Sequence, residues 1–475
     1  MEIDVDSTPH TSPPTPATPE TKSEKLGSAP IGKLYITFAL PLAMAMVMHG
    51  LNNIVDTYFV TRFIGADAIA GVSISFPIQM IVYALAGMVG SGASTLVSQR
   101  LGANDRASAR QIASSAALLS ILVAMTFSAI ILLSLPTLMT IMKVNATHAP
   151  YVFAYLKPFV WGAVLVFLLT LSSDLLRSEG RVKPMLAMIL VAAVGNVILD
   201  VVLILGLGFG VEGAAYATLL SQAASLFLGM ACFYFSKGEL HLSHFRFHFS
   251  LAIFHRITSI GAPLLLSYFG TALTFAFINA SIAYSSHADK DVMIAAYGVL
   301  GRMYIFIILP LLALGNAVQT LVAYNYGAKL YPRVRTAASM GASIAFTYLA
   351  TVVGLIIGFS EEIMGIFSQD PILIRAGADI AQIYFVGLPL AALNLTMLAT
   401  LQGLGKPRHA MMLSLFRTYG LFLPLIFILP SIWTIKHIWF AAPISEVITV
   451  TTMVVVLYAY RKTIFPAKGA VQQPT

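Results

Sequence analysis

The chain has 475 residues, of which 58% are hydrophobic and only 10% are charged, and its mean hydropathy is +0.84. So little polar surface cannot coat a water-soluble globule of this size, which excludes the soluble classes and indicates an integral membrane protein. The formal net charge of +8 follows from the membrane topology described below, and it gives no reason to expect a nucleic-acid partner.

The first predicted element, residues 1–32, is a disordered tail, because Ser, Thr, Pro, Asp and Glu dominate its composition. It lacks the apolar stretch of a signal peptide. Twelve apolar segments follow, each long enough to cross a membrane as a helix and none with the alternation of a membrane barrel. Their predicted bounds are 34–61, 69–98, 112–136, 151–176, 185–206, 212–235, 252–284, 293–325, 336–359, 376–401, 410–433 and 438–460.

Lysine and arginine test this count of spans. With the N-terminus inside, twenty of the 28 basic residues fall on the inner side and six on the outer side, and Arg302 and Arg417 lie within spans. Because basic residues concentrate in cytoplasmic loops, this distribution predicts that both termini are cytoplasmic. The predicted protein is therefore all-α, with an even number of spans.

The two halves of the chain resemble each other at an offset of 222 to 225 residues. Residues 95–103 (TLVSQRLGA) align with 320–328 (TLVAYNYGA), and residues 179–184 (EGRVKP) align with 402–407 (QGLGKP). Since each copy holds six spans, the copies enter the membrane in the same orientation, as in transporters whose cavity lies between two rocking bundles. We predict an N-lobe at 33–236, a cytoplasmic linker at 237–251, a C-lobe at 252–460 and a cytoplasmic tail at 461–475.

Two aspartates, Asp56 and Asp200, interrupt long apolar segments of the N-lobe. A carboxylate in hydrocarbon is costly, so its presence indicates a functional site. At 1.5 Å per residue, Asp56, Asp200 and Thr218 lie at a similar depth, roughly 10 Å below the outer surface. Asn196 shares a helix face with Asp200, and the short turn at 206–210 makes spans five and six neighbours. These four side chains are therefore predicted to converge.

Such a cluster has two chemical uses. Two carboxyl groups in a medium of low dielectric constant can hold a proton between them at neutral pH and release it when hydration changes. The same oxygens, with an amide and a hydroxyl, also suit a hard cation such as Na⁺. The alternative is a structural role in which each aspartate only cross-links helices through hydrogen bonds.

The chain resembles the multidrug and toxic compound extrusion (MATE) family of the MOP flippase superfamily, specifically its DinF-like branch, over residues 33–460. The resemblance rests on the duplicated six-helix plan and on residue pairs in three spans: Pro41 and Asp56, Asn196 and Asp200, and Ala214 and Thr218. It implies that one set of side chains forms the cation site, namely Asp56, Asn196, Asp200 and Thr218. It also associates Pro41 with bending of the first helix, for which proline chemistry gives an independent reason.

The C-lobe carries different polar residues. The repeat places Tyr419 and Leu423 where the N-lobe has Asn196 and Asp200, so coupling is predicted to reside in the N-lobe. Three charges lie at membrane depth, and we expect them either to pair or to face the cavity: Arg302, Arg417 and Glu446. The candidate cavity residues are His49, Asn52, Arg302 and Arg417.

We therefore predict a cation-coupled antiporter, driven by H⁺ or Na⁺, that exports amphipathic, cationic drugs by alternating access and has no cofactor. The expected location is the bacterial inner membrane, and a monomer suffices for the mechanism. One alternative is a lipid-linked oligosaccharide flippase of the same superfamily. A second is an intramembrane aspartyl protease, although neither Asp56 nor Asp200 lies in a Gly-x-Gly-Asp motif.

Overall fold

The computed structural model describes residues 23–142, 144–235, 238–241, 243 and 248–464, with the side chains of residues 49, 53, 66 and 456–464 left out of the description. The predicted tails at 1–32 and 461–475 therefore lie mostly outside the described residues, as does much of the predicted linker. Within the described part of the chain the secondary structure is helical throughout.

The N-lobe begins with a short helix and contains eight α-helices. Their bounds are α1 (Lys25–Ser28), α2 (Ile31–Phe63), α3 (Ala66–Gly102), α4 (Arg106–Ile141), α5 (Ala149–Trp161), α6 (Ala163–Ser178), α7 (Val182–Asp200) and α8 (Gly210–Phe235). A π-helical segment, Val201–Gly206, extends α7.

The C-lobe contains nine α-helices and repeats the order of the six spans. Its helices are α9 (Leu251–Ala283), α10 (Lys290–Gly327), α11 (Tyr331–Gly358), α12 (Ser360–Phe367), α13 (Pro371–Tyr384), α14 (Leu388–Gly403), α15 (Pro407–Ser414), α16 (Leu423–Ile432) and α17 (Ala441–Ile464). A π-helical segment, Leu415–Phe422, joins α15 to α16, and a 3₁₀ helix, Ile435–Phe440, precedes α17.

The predicted all-α membrane fold with up to twelve spans is confirmed. In the described chain, ten helical stretches are long and apolar enough to cross a membrane, and two bent helix pairs raise the number to twelve. The sequence did not predict the bends, which measure 50° between α5 and α6 and 47° between α13 and α14. Both lie in the fourth span of their lobe, so the repeat extends to irregular geometry.

The two lobes meet through α2 and α3 on one side and α9 and α10 on the other. We call the membrane face that holds the 238–250 connection the linker face, and its opposite the far face. At the linker face, Gln99 Nε2 donates to the carbonyl of Gly403 at 2.8 Å, and Gln319 Nε2 donates to the hydroxyls of Ser91 and Thr95 at 2.9 and 2.8 Å. These bonds hold the linker-face halves of the lobes together.

Two glycines bring α3 and α10 into backbone contact at the same face. A Cβ built on Gly102 would lie 2.0 Å from the carbonyl oxygen of Tyr324, and one built on Gly327 would lie 1.9 Å from that of Gln99. The two contacts are equivalent under the internal repeat, because an offset of 225 residues aligns Gln99 with Tyr324 and Gly102 with Gly327. The closed linker face is therefore built symmetrically by both lobes.

The connection between the lobes is fixed to the N-lobe by buried charges. Glu179, which directly follows α6, accepts a hydrogen bond from the Leu240 amide at 2.7 Å and pairs with Arg181 at 3.1 Å. Arg181 also donates to the Cys232 carbonyl at 2.9 Å. Burial raises the pKa of Glu179, and the hydrogen bond from Leu240 and the charge of Arg181 oppose that shift.

Candidate cation site

Three helices of the N-lobe bring the four predicted site residues together. Asp56 comes from α2, Asn196 and Asp200 come from α7, and Thr218 comes from α8. The glycine-rich turn after the π-helical segment reverses the chain within a few residues, because Gly208 and Gly210 adopt positive φ angles of 68° and 57°. As a result, α7 and α8 pack side by side as antiparallel neighbours.

Asn196 forms the centre of the hydrogen bonds in this cluster. Its Oδ1 accepts a hydrogen bond from Nδ2 of Asn52 on α2, and its own Nδ2 donates to Oγ1 of Thr218 at 3.4 Å. Thr218 in turn donates to the carbonyl of Ala214 at 3.1 Å. The amide of Asn196, which is 2% exposed, therefore ties α2, α7 and α8 into one unit.

The two carboxyl groups lie against each other with few donors around them. Asp200 is fully buried, and neither of its oxygens has a hydrogen-bond partner among the described residues; Oδ1 of Asp56 is likewise buried without one. The carboxyl groups of Asp56 and Asp200 lie close enough to influence each other electrostatically. Buried acceptors without donors are costly, so these three oxygens require a proton or a cation.

Two tyrosines and two glutamines complete the wall of the cluster and were missed by the sequence analysis. The Tyr155 hydroxyl donates to Oε1 of Gln79 at 3.4 Å, and Tyr83 interacts with Gln222. Both tyrosines lie close enough to Asp56 to sense its charge. One signal was available in the sequence: Gln79 and Tyr83 are one helical turn apart, as are Thr218 and Gln222.

The arrangement can bind one small cation. Two of the four predicted ligands, Asn196 and Thr218, are already engaged in hydrogen bonds with protein groups, whereas three of the four carboxyl oxygens have no hydrogen-bond partner among the described residues. A proton needs only the facing carboxyl groups, while Na⁺ would have to recruit the amide or the hydroxyl as well. Among the described residues, no cluster of three or more His, Cys, Asp or Glu side chains forms another metal site.

The remaining predicted N-lobe residues lie on α2. This helix continues from Ile31 through Pro41 to Phe63. Asn52, predicted only as a cavity residue, belongs to the cluster itself through Asn196. The side chain of His49 lies outside the described residues.

In the C-lobe, the predicted pairing of Glu446 with an arginine is present. Arg417, on the π-helical segment, donates from Nε to Oε1 of Glu446 at 2.8 Å and also contacts that oxygen through Nη2. Asn394 donates to Oε2 of the same glutamate at 2.5 Å. Glu446 is 5% exposed, so this network neutralises the charge of Arg417 within the lobe.

Arg302 stands apart from that network, on the side of α10 that faces α2. Phe306, one turn away, lies 3.7 Å from the position of a Cβ on Gly50, whereas Arg302 is exposed and makes no ion pair among the described residues. One turn further toward the far face, Gly298 has open space around it. Helix α10 therefore contacts α2 near the middle of the membrane, but the same side of α10 is exposed closer to the far face.

Comparison with known sequences matches both halves of the chain. The profile of the MatE family matches residues 41–202 and 263–428. An FAD transporter of Shewanella oneidensis is 26% identical over 429 residues, which cover 89% of this chain and 93% of the relative. The multidrug export protein MepA of Staphylococcus haemolyticus is 27% identical over 437 residues, covering 91% of this chain and 94% of the relative.

Solved structures give the same fold. A structure described as the outward-facing conformation of a multidrug resistance MATE family transporter superposes with a TM-score of 0.86 at 23% identity, covering 95% of this chain and all of that one. A MOP superfamily transporter from Pyrococcus furiosus, described as having a binding pocket of reverse polarity, also gives 0.86 at 23% identity, covering 94% and 99%. Both comparisons support two six-span lobes.

Proposed function

Because the chain belongs to the multidrug and toxic compound extrusion family, we propose that it is a cation-coupled antiporter that exports amphipathic, cationic compounds by alternating access. Its family consists of membrane transporters and not enzymes, so the hypothesis of an intramembrane aspartyl protease is wrong. Relatives described as multidrug export proteins support a drug as substrate. Assignment to the DinF-like branch stays a prediction.

One observation carries the proposal: three buried carboxylate oxygens, on Asp56 and Asp200, have no hydrogen-bond donor among the described residues. A carboxyl pair arranged in this way gains or loses a cation readily when the surrounding helices move, because the cation alone offsets the free-energy cost of burying these oxygens without donors. The engagement of Asn196 and Thr218 in other bonds favours H⁺ over Na⁺ as that cation.

The closed linker face and the uncovered far-face half of α10 support an outward-open state. In this state, substrate and cation exchange with the far face. Loading of Asp56 and Asp200 rearranges the hydrogen bonds between α2 and α7, bends α2 near Pro41 and expels the substrate. The lobes then rock to open the linker face. Coupling requires the cation and the substrate to prefer different states, because a ligand of equal affinity for both shifts nothing.

We place the linker face and both termini in the cytoplasm, since basic residues concentrate there, and the protein in the bacterial inner membrane as a monomer. The flippase alternative loses support from the C-lobe. Flippase cavities are expected to be rich in basic residues. Of the two arginines predicted at membrane depth, Arg417 is neutralised by Glu446, and Arg302 is the one without an ion pair among the described residues.

The test is transport in vesicles that hold the purified protein and an imposed proton or sodium gradient. We expect gradient-driven movement of a cationic fluorescent drug by the wild type, and none by the Asp56→Asn and Asp200→Asn variants. Asp291→Asn is the matched control, because Asp291 is an exposed acid at the far-face end of α10. Drug accumulation that ignores both gradients, or normal transport by both site variants, would exclude the proposed coupling.

A second substrate class is favoured by Arg302 and by one relative. An exposed arginine on the face of α10 toward α2 attracts anions, and the relative from Shewanella oneidensis is described as an FAD transporter. The same vesicles distinguish the classes. If the wild type transports FAD but not the cationic drug, and if Arg302→Gln reduces the transport of FAD, the substrate is an anionic aromatic cofactor and not a drug. The proposed cation site would be unaffected by that result.

A further inference from the structure

A groove on the N-lobe has no part in the transport cycle described above. It encloses about 690 Å³ between α5 and the beginning of α8, beside the bend at Gly162. Its walls combine aromatic rings with one basic and one acidic side chain, Lys157 and Glu212. The close approach of the two helices is fixed by Gly162, where a Cβ would lie 2.2 Å from the side chain of Leu219.

The groove opens on the side of the N-lobe that faces away from the cation site. On α5, Tyr155 and Phe159 are buried toward the lobe interior, whereas Phe153, Lys157 and Trp161, spaced four residues apart, form the exposed opposite stripe. The two faces are well separated: Phe159 is fully buried, and Trp161 is 68% exposed. This stripe therefore lines the groove from the side that meets the bilayer.

On α8 the same separation holds. Thr218 and Ala214 face the cation cluster, while Glu212 and Tyr216, one turn apart, are exposed and line the groove. Glu212 is the third residue of α8 and lies close to the far face of the membrane. The groove therefore opens at the level where the lipids of that leaflet place their headgroups, and it extends deeper into the membrane to Gly162 and Leu219.

The charges in the groove have no ionic partner in the part of the chain that the structure describes. Neither Lys157 nor Glu212 forms an ion pair among the described residues, and they do not pair with each other, although both line the same cavity. An isolated charge on a membrane-facing surface is costly and seeks a counter-charge. A ligand carrying one negative and one positive group satisfies both residues at once.

We propose that this groove binds one zwitterionic phospholipid of the far-face leaflet, with its phosphate on Lys157 and its primary ammonium group on Glu212. A primary ammonium donates hydrogen bonds to a carboxylate and also lies favourably over an aromatic face. Phe153, Trp161 and Tyr216 contact the glycerol region and the beginning of the acyl chains, as aromatic side chains do at membrane interfaces. The occupant is thus a phosphoethanolamine lipid.

The test is native mass spectrometry of the full-length protein after equilibration with phosphatidylethanolamine, phosphatidylcholine or phosphatidylglycerol of identical acyl chains. We expect the wild type to retain one phosphatidylethanolamine. Retention in Lys157→Gln and in Glu212→Gln should fall about tenfold, the change produced by loss of one charge-assisted contact. Both residues are exposed, so the variants should fold.

Matched controls remove an exposed charge of the same sign near the same membrane face, outside the groove: Arg62→Gln for the cation and Asp291→Asn for the anion. Both should retain the lipid as the wild type does. Equal retention of phosphatidylcholine would overturn the proposal, because its quaternary ammonium cannot donate to Glu212. Retention of phosphatidylglycerol that is lost in Lys157→Gln but not in Glu212→Gln would also overturn it. Retention of phosphatidylethanolamine that is equal in the wild type and in all variants would do the same. The measurement is independent of transport, so the proposed function can fail without affecting it.

Discussion

The side-chain amide of Asn52 helps to position the carboxyl group of Asp200 through Asn196, without a hydrogen bond of its own to Asp200 among the described residues. Its side chain donates to Asn196, which shares a face of α7 with Asp200 and donates in turn to Thr218. Because α2 also carries Asp56, the bond between the two asparagines fixes the distance between the helices that supply the two carboxyl groups. Sequence reasoning could place Asn52 one turn from Asp56 but could not choose its partner.

At this scale we predict that Asn52→Ala weakens cation coupling without removing an acid. The Oδ1 atom of buried Asn196 would lose its donor, at a cost of about 1 to 3 kcal/mol. The proton or sodium concentration that half-saturates transport should therefore rise by about tenfold. Asn279→Ala is the control, since the repeat places the counterpart of Asp56 close to Ile278 or Asn279, and the Asn279 amide donates to the carbonyl of Phe275 on its own helix. Equal effects of the two substitutions would contradict the positioning role.

At the scale of helices, the sequence predicted the spans well because their signal is local. A run of apolar side chains identifies a crossing helix whatever its neighbours do. The bend at Gly162 and the π-helical segments at 201–206 and 415–422 escaped prediction because hydropathy carries no information on backbone geometry. Tyr155 and Gln79 were missed for a related reason: they meet only when α5 packs on α3, which the composition of either helix alone does not specify.

The buried charges after α6 give a prediction for stability. Arg181→Gln leaves Glu179 as a carboxylate that is 1% exposed and has no cation, which should lower the free energy of unfolding by about 3 to 5 kcal/mol. Arg100→Gln is the control, because Arg100 and its partner Asp105 are 42% and 35% exposed, and such a pair contributes at most about 1 kcal/mol. Thermal unfolding in detergent measures both.

The same variant has a pH dependence of defined sign. Burial already raises the pKa of Glu179, and removal of Arg181 raises it further. A carboxyl group whose pKa is higher in the folded state contributes stability at low pH that is lost as the pH rises through that pKa. The deficit of Arg181→Gln should therefore grow as the pH rises above the ordinary glutamate pKa of about 4.3. The double variant Arg181→Gln with Glu179→Gln should lose this dependence; if it keeps it, another group titrates.

For the whole molecule, we predict that the glycine contacts at the linker face keep that side of the membrane closed. Gly102 and Gly327 let α3 and α10 touch through their backbones, and the repeat relates the two contacts. We predict that Gly102→Ala or Gly327→Ala separates the helices, because the added methyl would lie about 2 Å from a backbone carbonyl that cannot move aside. The equilibrium should then shift toward states open at the linker face.

This shift can be read from thiol labelling of a Thr320→Cys variant in a Cys232→Ser background, since Thr320 is 1% exposed and lies between the lobes. Each glycine substitution should raise the labelling rate from the linker face about tenfold, which corresponds to about 1.4 kcal/mol between the two states. Gly298→Ala is the control on the same helix, because its Cβ meets open space. Unchanged labelling in both interface variants, or an equal increase in the control, would show that the opening of the linker face is governed by contacts other than this glycine pair.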